Sequence, residues 1–343
     1  MKQTSDIAAA HASAPGFLWA FAGSATGETL RIPAEEIAAA RAEHRWLWVH
    51  VDLLDQRARG WVQSFCSLPS DVTSQLLAGQ EVGLAFERDG AQIRGVCPDY
   101  SLDFLRLSDS IGQFGFVVGE RLLVTGWRHP LAGIDAVRTA ASQGARFTSG
   151  FAVLAGIIAG FSRAAIVRLR QAEKDLDRVE DRLLAARALD ERVALKQVRR
   201  LALALHRPVA AMLLLLGEEV EEAEEAEEAD RVPPAGSAAI GDMAARLAAL
   251  DQAVRSVSDR AKLLQEEIAA ELADESNRSL SALTVMTALL MPGTLVAGVF
   301  GMNTGGLPFE NPHWGTVAAL VLAIVSTVAF YRILIRAGAS LKF

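Results

Sequence analysis

The stretch that decides the fold is "SLSALTVMTALLMPGTLVAGVFGMNTGGLPFENPHWGTVAALVLAIVSTVAFY", residues 279–331, in which Glu310 is the only charged side chain. Two apolar runs flank a short glycine-rich loop. Each run can supply the roughly 20 apolar residues that a helix needs to cross about 30 Å of hydrocarbon. The sequence therefore predicts two transmembrane helices, over about 280–300 and 314–335. The alternative is a pair of buried helices in a soluble protein, but soluble helices of this length normally carry a polar face.

Basic residues flank both predicted spans, and the loop between the spans has none. They are Arg260, Lys262 and Arg278 before the first span and Arg332, Arg336 and Lys342 after the second. By the positive-inside rule, this distribution places both termini in the cytoplasm and the loop outside. The first residues contain no apolar signal-peptide core, so we expect the first span to target this multi-pass protein to its membrane.

The bulk composition narrows the classes of function. The chain has 343 residues and a formal net charge of -7, which argues against nucleic acid as a partner. Cys66 and Cys97 lack the spacing of a metal site, and we expect both to be small buried hydrophobic residues. The sequence contains no nucleophile elbow, P-loop or metal-hydrolase motif, so we expect neither an enzyme nor a bound cofactor.

Residues 1–147 are predicted to form a cytoplasmic α+β domain, in which helices flank a mixed sheet. Strands are expected over 17–23 and 45–53 and in two hairpins that turn at Asp89-Gly90 and Gly119-Glu120. Helices are expected over 33–44, 55–66 and 69–79. The apolar run 150–162 is too short to span a membrane and predicts a buried core helix.

Residues 148–278 are predicted to form long cytoplasmic helices, with an acidic tip at 217–237, "GEEVEEAEEAEEADRVPPAGS". The glutamates recur at a period of about three, so on a helix they spread around the surface. This pattern is typical of a solvated helix tip and turn. In the alternative interpretation, the acidic tip attracts cations near a cytoplasmic opening through its field.

A heptad-like seam follows the acidic tip. Its members are Leu247, Leu250, Val254, Val257, Ala261, Leu264, Ile268 and Leu272. No Pro or Gly interrupts residues 242–291, so one helix of about 60 residues, roughly 90 Å long, can run from the cytoplasm into the first span. Such a seam predicts a coiled helix with partners, either from the same chain or from its copies.

One face of the first span carries polar groups at helical spacing. Its members, called the stripe below, are Ser276, Leu280, Leu283, Thr287, Met291 and Thr294. Polar groups in hydrocarbon tend to face neighbouring helices or water, so the stripe favours a lumen. Any one threonine could instead bond back to its own helix or join two helices. Pro292 and Gly293 permit a kink in this span.

The segment "MPGTLVAGVFGMNTGGLPFENPHWG", residues 291–315, resembles the CorA superfamily of divalent-cation transporters. The hallmark of that superfamily is Gly-Met-Asn at the outer end of the first of two C-terminal spans. The form "GMNTGGLPF" is most similar to the ZntB zinc-transporter branch. The resemblance implies a homopentameric funnel with a two-helix transmembrane hairpin over 279–343, whose first span lines a central pore and whose outer loop is 301–313.

The resemblance also assigns the external mouth of the pore to Gly301, Met302 and Asn303. Neutral amide and carbonyl oxygens there could accept hydrogen bonds from the waters of a hydrated dication. Glu310 could attract cations to the mouth or be an ordinary interfacial carboxylate. His313 could bind zinc or carry a proton, but His-Trp also fits an interfacial anchor.

Below the mouth, Thr294 would offer a second ring of oxygens, and Met291, Leu283 and Leu280 would form apolar collars that gate by dewetting.

The implied function is uptake of a divalent cation, zinc ahead of magnesium or cobalt, coupled to a proton gradient as in the zinc branch. One alternative is a magnesium or cobalt channel. Another is a membrane-tethered coiled-coil scaffold or sensor. The transported ion is cargo and not a cofactor.

Overall fold

The structure is a computed structural model that describes residues 14–24, 28–68, 84–90, 92–103, 106–184, 192–228, 236–302 and 314–336. It divides into two compact units, residues 1–264 and 265–343. The helix expected over 69–79 lies outside the described residues. So does the loop from Asn303 to His313, together with Lys342.

The first unit contains a mixed sheet. Among the described residues its seven strands are β1 (Phe17–Gly23), β2 (Thr29–Ile32), β3 (Trp46–Asp52), β4 (Ala85–Asp89), β5 (Gln92–Asp103), β6 (Arg106–Val118) and β7 (Leu122–Trp127), in the spatial order β2-β1-β3-β7-β6-β5-β4. Strands β3 and β7 pair in parallel, with Val49 opposite Val124, and the other neighbours are antiparallel. The prediction of a mixed sheet is therefore confirmed.

Strand β3 lies at the centre of the core because both of its faces are covered. Its sequence, WLWVHVD, is rich in the aromatic and β-branched residues that suit a buried strand. Leu47, Val49 and Val51 belong to a buried cluster on one face. On the other face the indole N–H of Trp46 donates to the carbonyl of Phe147 at 2.7 Å. Strands buried on both faces read as continuous apolar runs, as this one does.

Within the described ranges, three short α-helices accompany the sheet: α1 (Ile37–Glu43), α2 (Gln56–Cys66) and α3 (Ala132–Ser142). Helix α2 begins where the Asp55 carboxylate accepts the Arg57 N–H at 2.9 Å, and it ends at Ser67, which has a left-handed φ of 56°. Cys66 joins the same buried cluster as Leu47, and Cys97 is also fully buried. Both cysteines are therefore the buried residues that the sequence predicts.

Two long helices, α4 (Gly150–Leu184) and α5 (Arg192–Glu228), follow, and a third, α6 (Ser237–Gly301), begins in this unit. Residues 150–162 are the first part of α4, and Phe151, Leu154 and Ile157 are buried there, as expected of a core helix. Polar side-chain contacts join α6 to the other two long helices. Asp251 of α6 lies within hydrogen-bond distance of Nδ1 of His206 on α5, at 3.0 Å, and Arg260 of α6 forms an ion pair with Asp177 of α4 at 2.7 Å.

The heptad-like seam on α6 is buried within the single chain from Leu247 to Leu264. The helices α4 and α5 of the same chain therefore supply the partners that this part of the seam needs. Along the acidic tip, residues 217–228 continue α5 as a helix, and most of the glutamates described there are exposed. This agrees with the solvated interpretation of the acidic tip.

Glu219 is the exception in the acidic tip, since its side chain is only 8% exposed. The guanidinium of Arg88 on β4 donates from Nε to its carboxylate at 2.7 Å. Charged side chains are rarely buried unless they are paired. This ion pair therefore holds α5 against the edge strand of the sheet.

The second unit contains the rest of α6 and the helix α7 (Gly315–Arg336). Helix α6 has 65 residues and is roughly 100 Å long at 1.5 Å per residue. It continues through Pro292, as the prediction of one long helix requires.

By length and composition, four described helices are apolar enough to cross a membrane: α4, α5, α6 and α7. The most apolar window of α4 is 61% buried inside the protein, whereas those of α6 and α7 are 0% buried. The apolar surface of α4 is therefore core. Apart from the faces on which α6 and α7 approach each other, nothing in the described part of the chain covers their apolar surfaces.

Candidate ion pathway along helix α6

Only part of the predicted mouth falls within the described residues. Gly301 is the last residue of α6, and Met302 follows it with 59% of its surface exposed. The N–H of Met302 still donates to the carbonyl of Val299, at 3.4 Å. Asn303, Glu310 and His313 lie outside the described residues. Their roles therefore stay predictions.

The stripe is exposed along its whole length. Its members are Ser276, Leu280, Leu283, Thr287, Met291 and Thr294. The large apolar members keep 58–69% of their surface accessible. Nothing in the described part of the chain covers them, so they are free to face water, lipid or another copy.

A second face of α6 is half-buried. Its members are Val285, Ala288, Leu289, Pro292, Gly293, Val296 and Phe300. A Cβ atom on Gly293 would lie 3.8 Å from Oγ1 of Thr327, so this face lies against α7. At 100° per residue the centres of the stripe and of this face are roughly 180° apart. The stripe therefore points away from α7.

Helix α7 meets α6 through small residues. The half-buried residues of α7 are Gly315, Ala318, Ala319, Ala323, Ser326, Thr327 and Phe330. Small side chains let two helix backbones approach closely in a membrane. The Ser326 and Thr327 hydroxyls both donate to the carbonyl of Ala323, at 3.0 and 2.8 Å. Their hydrogen atoms are satisfied within α7, so this contact needs no water.

The threonines of α6 bond back to their own helix. Thr287 donates to the carbonyl of Leu283 at 2.8 Å, and Thr294 donates to that of Met291 at 2.9 Å. This is the local role that the sequence left open as an alternative. A hydroxyl has one hydrogen to donate and two lone pairs that can accept. The back bond uses the hydrogen and leaves the oxygen as an acceptor, so the local role is compatible with lining a lumen.

No cluster of three or more His, Cys, Asp or Glu side chains able to hold a metal ion occurs within the described ranges. The acidic residues near the lower part of α6 are all exposed: Glu266, Glu267, Glu271, Asp274 and Glu275. The described pathway therefore offers hydroxyl oxygens and apolar surface, and no preformed dehydrating metal site.

Sequence reasoning missed a buried carboxyl group in the first unit. Asp99 on β5 is fully buried, and its carboxyl accepts the N–H groups of Gly133 at 2.7 Å and Ile134 at 3.2 Å. It also accepts the N–H of Tyr100 at 2.8 Å. Burial raises the pKa of Asp99 to about 7, and the three backbone hydrogen bonds oppose that rise. The signal available in the sequence was an acidic residue inside the apolar run "GVCPDYSL".

A second buried polar group, His50 on β3, was also not assigned a role. Its Nδ1 lies 2.7 Å from Oγ1 of Thr125, which also accepts the indole N–H of Trp48 at 2.8 Å. The ring stacks on Trp19, with 4.2 Å between centroids. Burial lowers the pKa of His50 well below its ordinary value. The imidazole is therefore neutral, and it packs and hydrogen-bonds within the core of the sheet.

The family of the chain follows from comparison with known proteins. A family model described as "CorA-like Mg2+ transporter protein" matches residues 43–336, which include strands β3 to β7, the long helices and both apolar helices. The chain belongs to this family. Its members are membrane transporters of divalent cations and not enzymes.

Curated relatives of this CorA-like chain include the zinc transport protein ZntB of Klebsiella pneumoniae. The two are 24% identical over 281 residues, which cover 81% of this chain and 83% of that one. The ZntB protein of Yersinia enterocolitica is 23% identical over 290 residues, with 83% and 85% covered. The likeness to ZntB therefore extends over most of the chain.

Solved structures agree on the fold. The full-length CmaX protein has a TM-score of 0.75 at 18% identity, with 94% of this chain and 98% of that chain covered. The complete CorA magnesium transporter of Methanocaldococcus jannaschii has a TM-score of 0.70 at 17% identity, with 93% and 97% covered. At these identities the comparison establishes the CorA-like architecture of an N-terminal α/β domain followed by long helices.

Proposed function

We propose that this chain forms a homopentamer that carries divalent cations, zinc first, through a central pore in the bacterial inner membrane. The observation that supports it most directly is the stripe on α6, which is exposed and points away from α7. In the proposed assembly, the stripes of five α6 helices line the pore. The α7 helices form an outer ring, because they pack on the opposite face of α6.

The need for several copies follows from the apolar helices themselves. Two helices cannot enclose a pore, and the most apolar windows of α6 and α7 are uncovered in the single chain. Lipid can cover apolar side chains. The hydroxyls of Ser276, Thr287 and Thr294 gain more from a neighbouring helix or from water. We place the loop 301–313 outside and both termini in the cytoplasm, with α6 and α7 as a hairpin.

At the proposed mouth, Gly301, Met302 and Asn303 of each copy surround the entering ion. Magnesium and similar hard cations give up their waters reluctantly, so neutral oxygens that accept hydrogen bonds from those waters lower the cost of entry. Glu310 would attract the cation through its charge, and His313 would be a secondary ligand. The ring of Gly301, Met302 and Asn303 recognises a hydrated ion and does not strip it.

Zinc is the proposed cargo because the relatives that span most of the chain are zinc transport proteins. We propose coupling to a proton gradient as part of the same function. A magnesium or cobalt channel is the alternative within the family, and a scaffold or sensor is the alternative outside it. These candidates differ in which ion moves and in whether any ion moves.

Zinc flux into proteoliposomes tests the proposal. Asn303→Ala should reduce the zinc influx of the purified chain at least tenfold, whereas Asn311→Ala, a matched change in the same loop, should leave it near wild type. Uptake of zinc, magnesium and cobalt is then compared with and without an inward proton gradient. Absence of flux for every ion would overturn transport, and a magnesium-only signal would overturn zinc. Equal zinc uptake with and without the gradient would remove proton coupling.

A pair of cysteine variants tests which face of α6 lines the pore. Thr287 belongs to the stripe, and Met286, its neighbour, is 62% exposed but lies about 100° further around the helix. A charged, membrane-impermeant thiol reagent should block flux in Thr287→Cys and spare Met286→Cys.

The native thiols should not interfere with this assay. Cys66 and Cys97 are both buried, and burial raises the pKa of the Cys66 thiol to about 12. The wild type, treated with the same reagent, is the control. Equal block of Thr287→Cys and Met286→Cys would contradict the proposed orientation of α6.

A further inference from the structure

The first unit contains a cavity that the proposed ion pathway does not use. Its volume is about 170 Å³, and its polar lining residues are Ser101, Gln113, Arg128 and His129. Leu53 and Leu131 are among its apolar walls. All of its lining residues belong to the α/β part of the chain.

The cavity lies at the edge of the sheet where binding sites of α/β proteins commonly form. Strands β3 and β7 are parallel and end together, with Asp52 opposite Trp127. Leu53 follows the first of these strands, and Arg128 and His129 follow the second. Ligands of open α/β sheets bind in crevices outside the carboxyl ends of the strands. The residues that follow β3 and β7 are therefore well placed to hold a ligand.

The charge of the lining favours an anion. Arg128 carries a permanent positive charge, and its planar guanidinium suits the oxygens of phosphate or carboxylate. No Asp or Glu is among the lining residues that the structure describes. The nearby carboxyl of Asp99 is instead directed at the N–H groups of Gly133 and Ile134. The lining that the structure describes therefore contains a positive charge and no carboxylate.

Neutral hydrogen-bonding groups accompany Arg128. The Ser101 hydroxyl lines the cavity, and so does Gln113, whose amide Oε1 is buried without a hydrogen-bond partner in the described part of the chain. A buried amide oxygen without a partner is unfavourable, so the amide can rotate without breaking a bond at that oxygen. The rotation presents its NH2 group, which donates hydrogen bonds, to an anion in the cavity. His129 lies at the exposed rim. Together with Arg128, these side chains offer more hydrogen-bonding groups than the two oxygens of a carboxylate can use. They therefore suit the four oxygens of a tetrahedral oxyanion better.

The absence of a side chain at Gly112 keeps the cavity open. A Cβ atom there would lie 2.9 Å from Cδ2 of Leu131 and 3.0 Å from Oγ of Ser101, both of which line the cavity. A water molecule occupies about 30 Å³ in the liquid, so the cavity has the volume of roughly five to six waters. That volume accommodates a phosphate group and a few further atoms.

We propose that this cavity binds a small phosphate-bearing anion, with Arg128 as the charged anchor and Ser101 and Gln113 as neutral partners. The ligand is either inorganic phosphate or the phosphate group of a small metabolite. The site makes the α/β domain a receptor for a cytoplasmic anion, a role beyond the transport of cations. This proposal does not depend on the proposed function, because phosphate binding can be measured whether or not the chain transports ions.

Calorimetric titration of the full chain in detergent with inorganic phosphate tests this site, with potassium chloride at equal ionic strength as the blank. Wild type and Arg146→Gln, which removes an exposed arginine of the same unit, should bind phosphate alike. Arg128→Gln should bind at least tenfold more weakly. Equal weak responses in all three proteins would show a general salt effect and overturn the site.

Two further variants keep the test decisive if Arg128→Gln does not fold. Gln113→Leu removes a polar partner, and Gly112→Ala reduces the cavity without changing its charge. Each should lower phosphate affinity severalfold while the circular dichroism spectrum stays that of wild type, and unchanged affinity in both would overturn the proposal. Glycerol 3-phosphate distinguishes the two sources. Tighter binding than inorganic phosphate identifies a phosphorylated metabolite, and weaker binding identifies free phosphate.

Discussion

Replacement of Asp99 by Asn is expected to abolish a loss of stability that the wild type undergoes between pH 4.5 and 8. Burial raises the pKa of this carboxyl from 3.8 to about 7 in the folded chain. The folded state therefore keeps its proton across a range in which the unfolded state loses it. A raised pKa means that the stabilising contribution is complete below about pH 4 and is lost as the pH rises through about 7.

The magnitude follows from the size of the pKa shift. A rise of about three pKa units corresponds to roughly 4 kcal/mol, since one unit is about 1.4 kcal/mol. Between pH 4.5 and 8 the loss is roughly 3 kcal/mol of that total. For a unit of this size, 1 kcal/mol shifts the Tm by about 2–4 °C, so the expected change is roughly 6–12 °C.

Thermal unfolding of the full chain in detergent, followed by tryptophan fluorescence, measures this effect. Five of the six tryptophans lie in the first unit, so the signal reports on the part of the chain that contains Asp99. The quantity of interest is the difference in Tm between wild type and Asp99→Asn at each pH. Asp103→Asn, an exposed change on the same strand, is the control.

A difference that does not vary with pH would refute the reasoning about Asp99. It would mean that the three backbone N–H groups stabilise the carboxylate as strongly as burial destabilises it. A difference that varies equally in Asp103→Asn would assign the pH dependence to the overall charge of the unit.

Two further predictions concern the long helices, and the same unfolding assay measures both. Leu250→Ala removes a fully buried side chain from the seam of α6 and should cost about 2–5 kcal/mol, whereas Leu263→Ala, at a 65% exposed position, should stay within about 0.5 kcal/mol of wild type. Equal costs would contradict packing of the seam within one chain. Arg88→Met leaves Glu219 buried without its cation and should cost about 3–5 kcal/mol, and adding Glu219→Gln should recover part of that loss. No recovery would mean that the loss comes from the apolar stem of Arg88.

The long helices were the most predictable part of the fold because their signal is local. The spacing of Leu247, Leu250 and Val254 by itself predicts one buried side of a helix, and the structure buries all three. The partner that covers them could not be predicted from spacing, because the same seam suits another chain equally well. The ion pair between Arg260 and Asp177 joins residues 83 positions apart, and no local pattern encodes it.

The sheet was predicted less completely. The hairpins were expected at Asp89-Gly90 and Gly119-Glu120, and the strands indeed turn there. The sequence did not reveal how far β5 and β6 extend, since residues 101–112 lack a clear apolar alternation. Strand β2 and helix α3 were also not predicted. The parallel pairing of β3 with β7 depends on contacts between residues 75 positions apart, which hydrophobic periodicity cannot report.

The stripe on α6 was predictable because its signal is also local, but the helix that packs against α6 was not. Helical periodicity is enough to place Thr287, Met291 and Thr294 on one face. Which face α7 covers depends on tertiary packing, and the structure adds that Gly293 lies near Thr327. The role of Asp99 was not predicted, because the N–H groups at the start of α3 that it accepts from are more than 30 residues away in the sequence.

The back bonds of the threonines bear on the sign of the ion that the proposed pore would pass. Each hydroxyl hydrogen is already donated to a carbonyl of the same helix, at 2.8 Å for Thr287 and 2.9 Å for Thr294. Only oxygen lone pairs therefore remain to face a lumen. A hydrated cation presents water hydrogens outward and is well served by such acceptors, whereas a hydrated anion presents water oxygens and would need donors. On the sequence alone, back bonding of these threonines is an alternative to lining a pore. In the structure, the same back bonds leave the hydroxyl oxygens as acceptors, which suits hydrated cations.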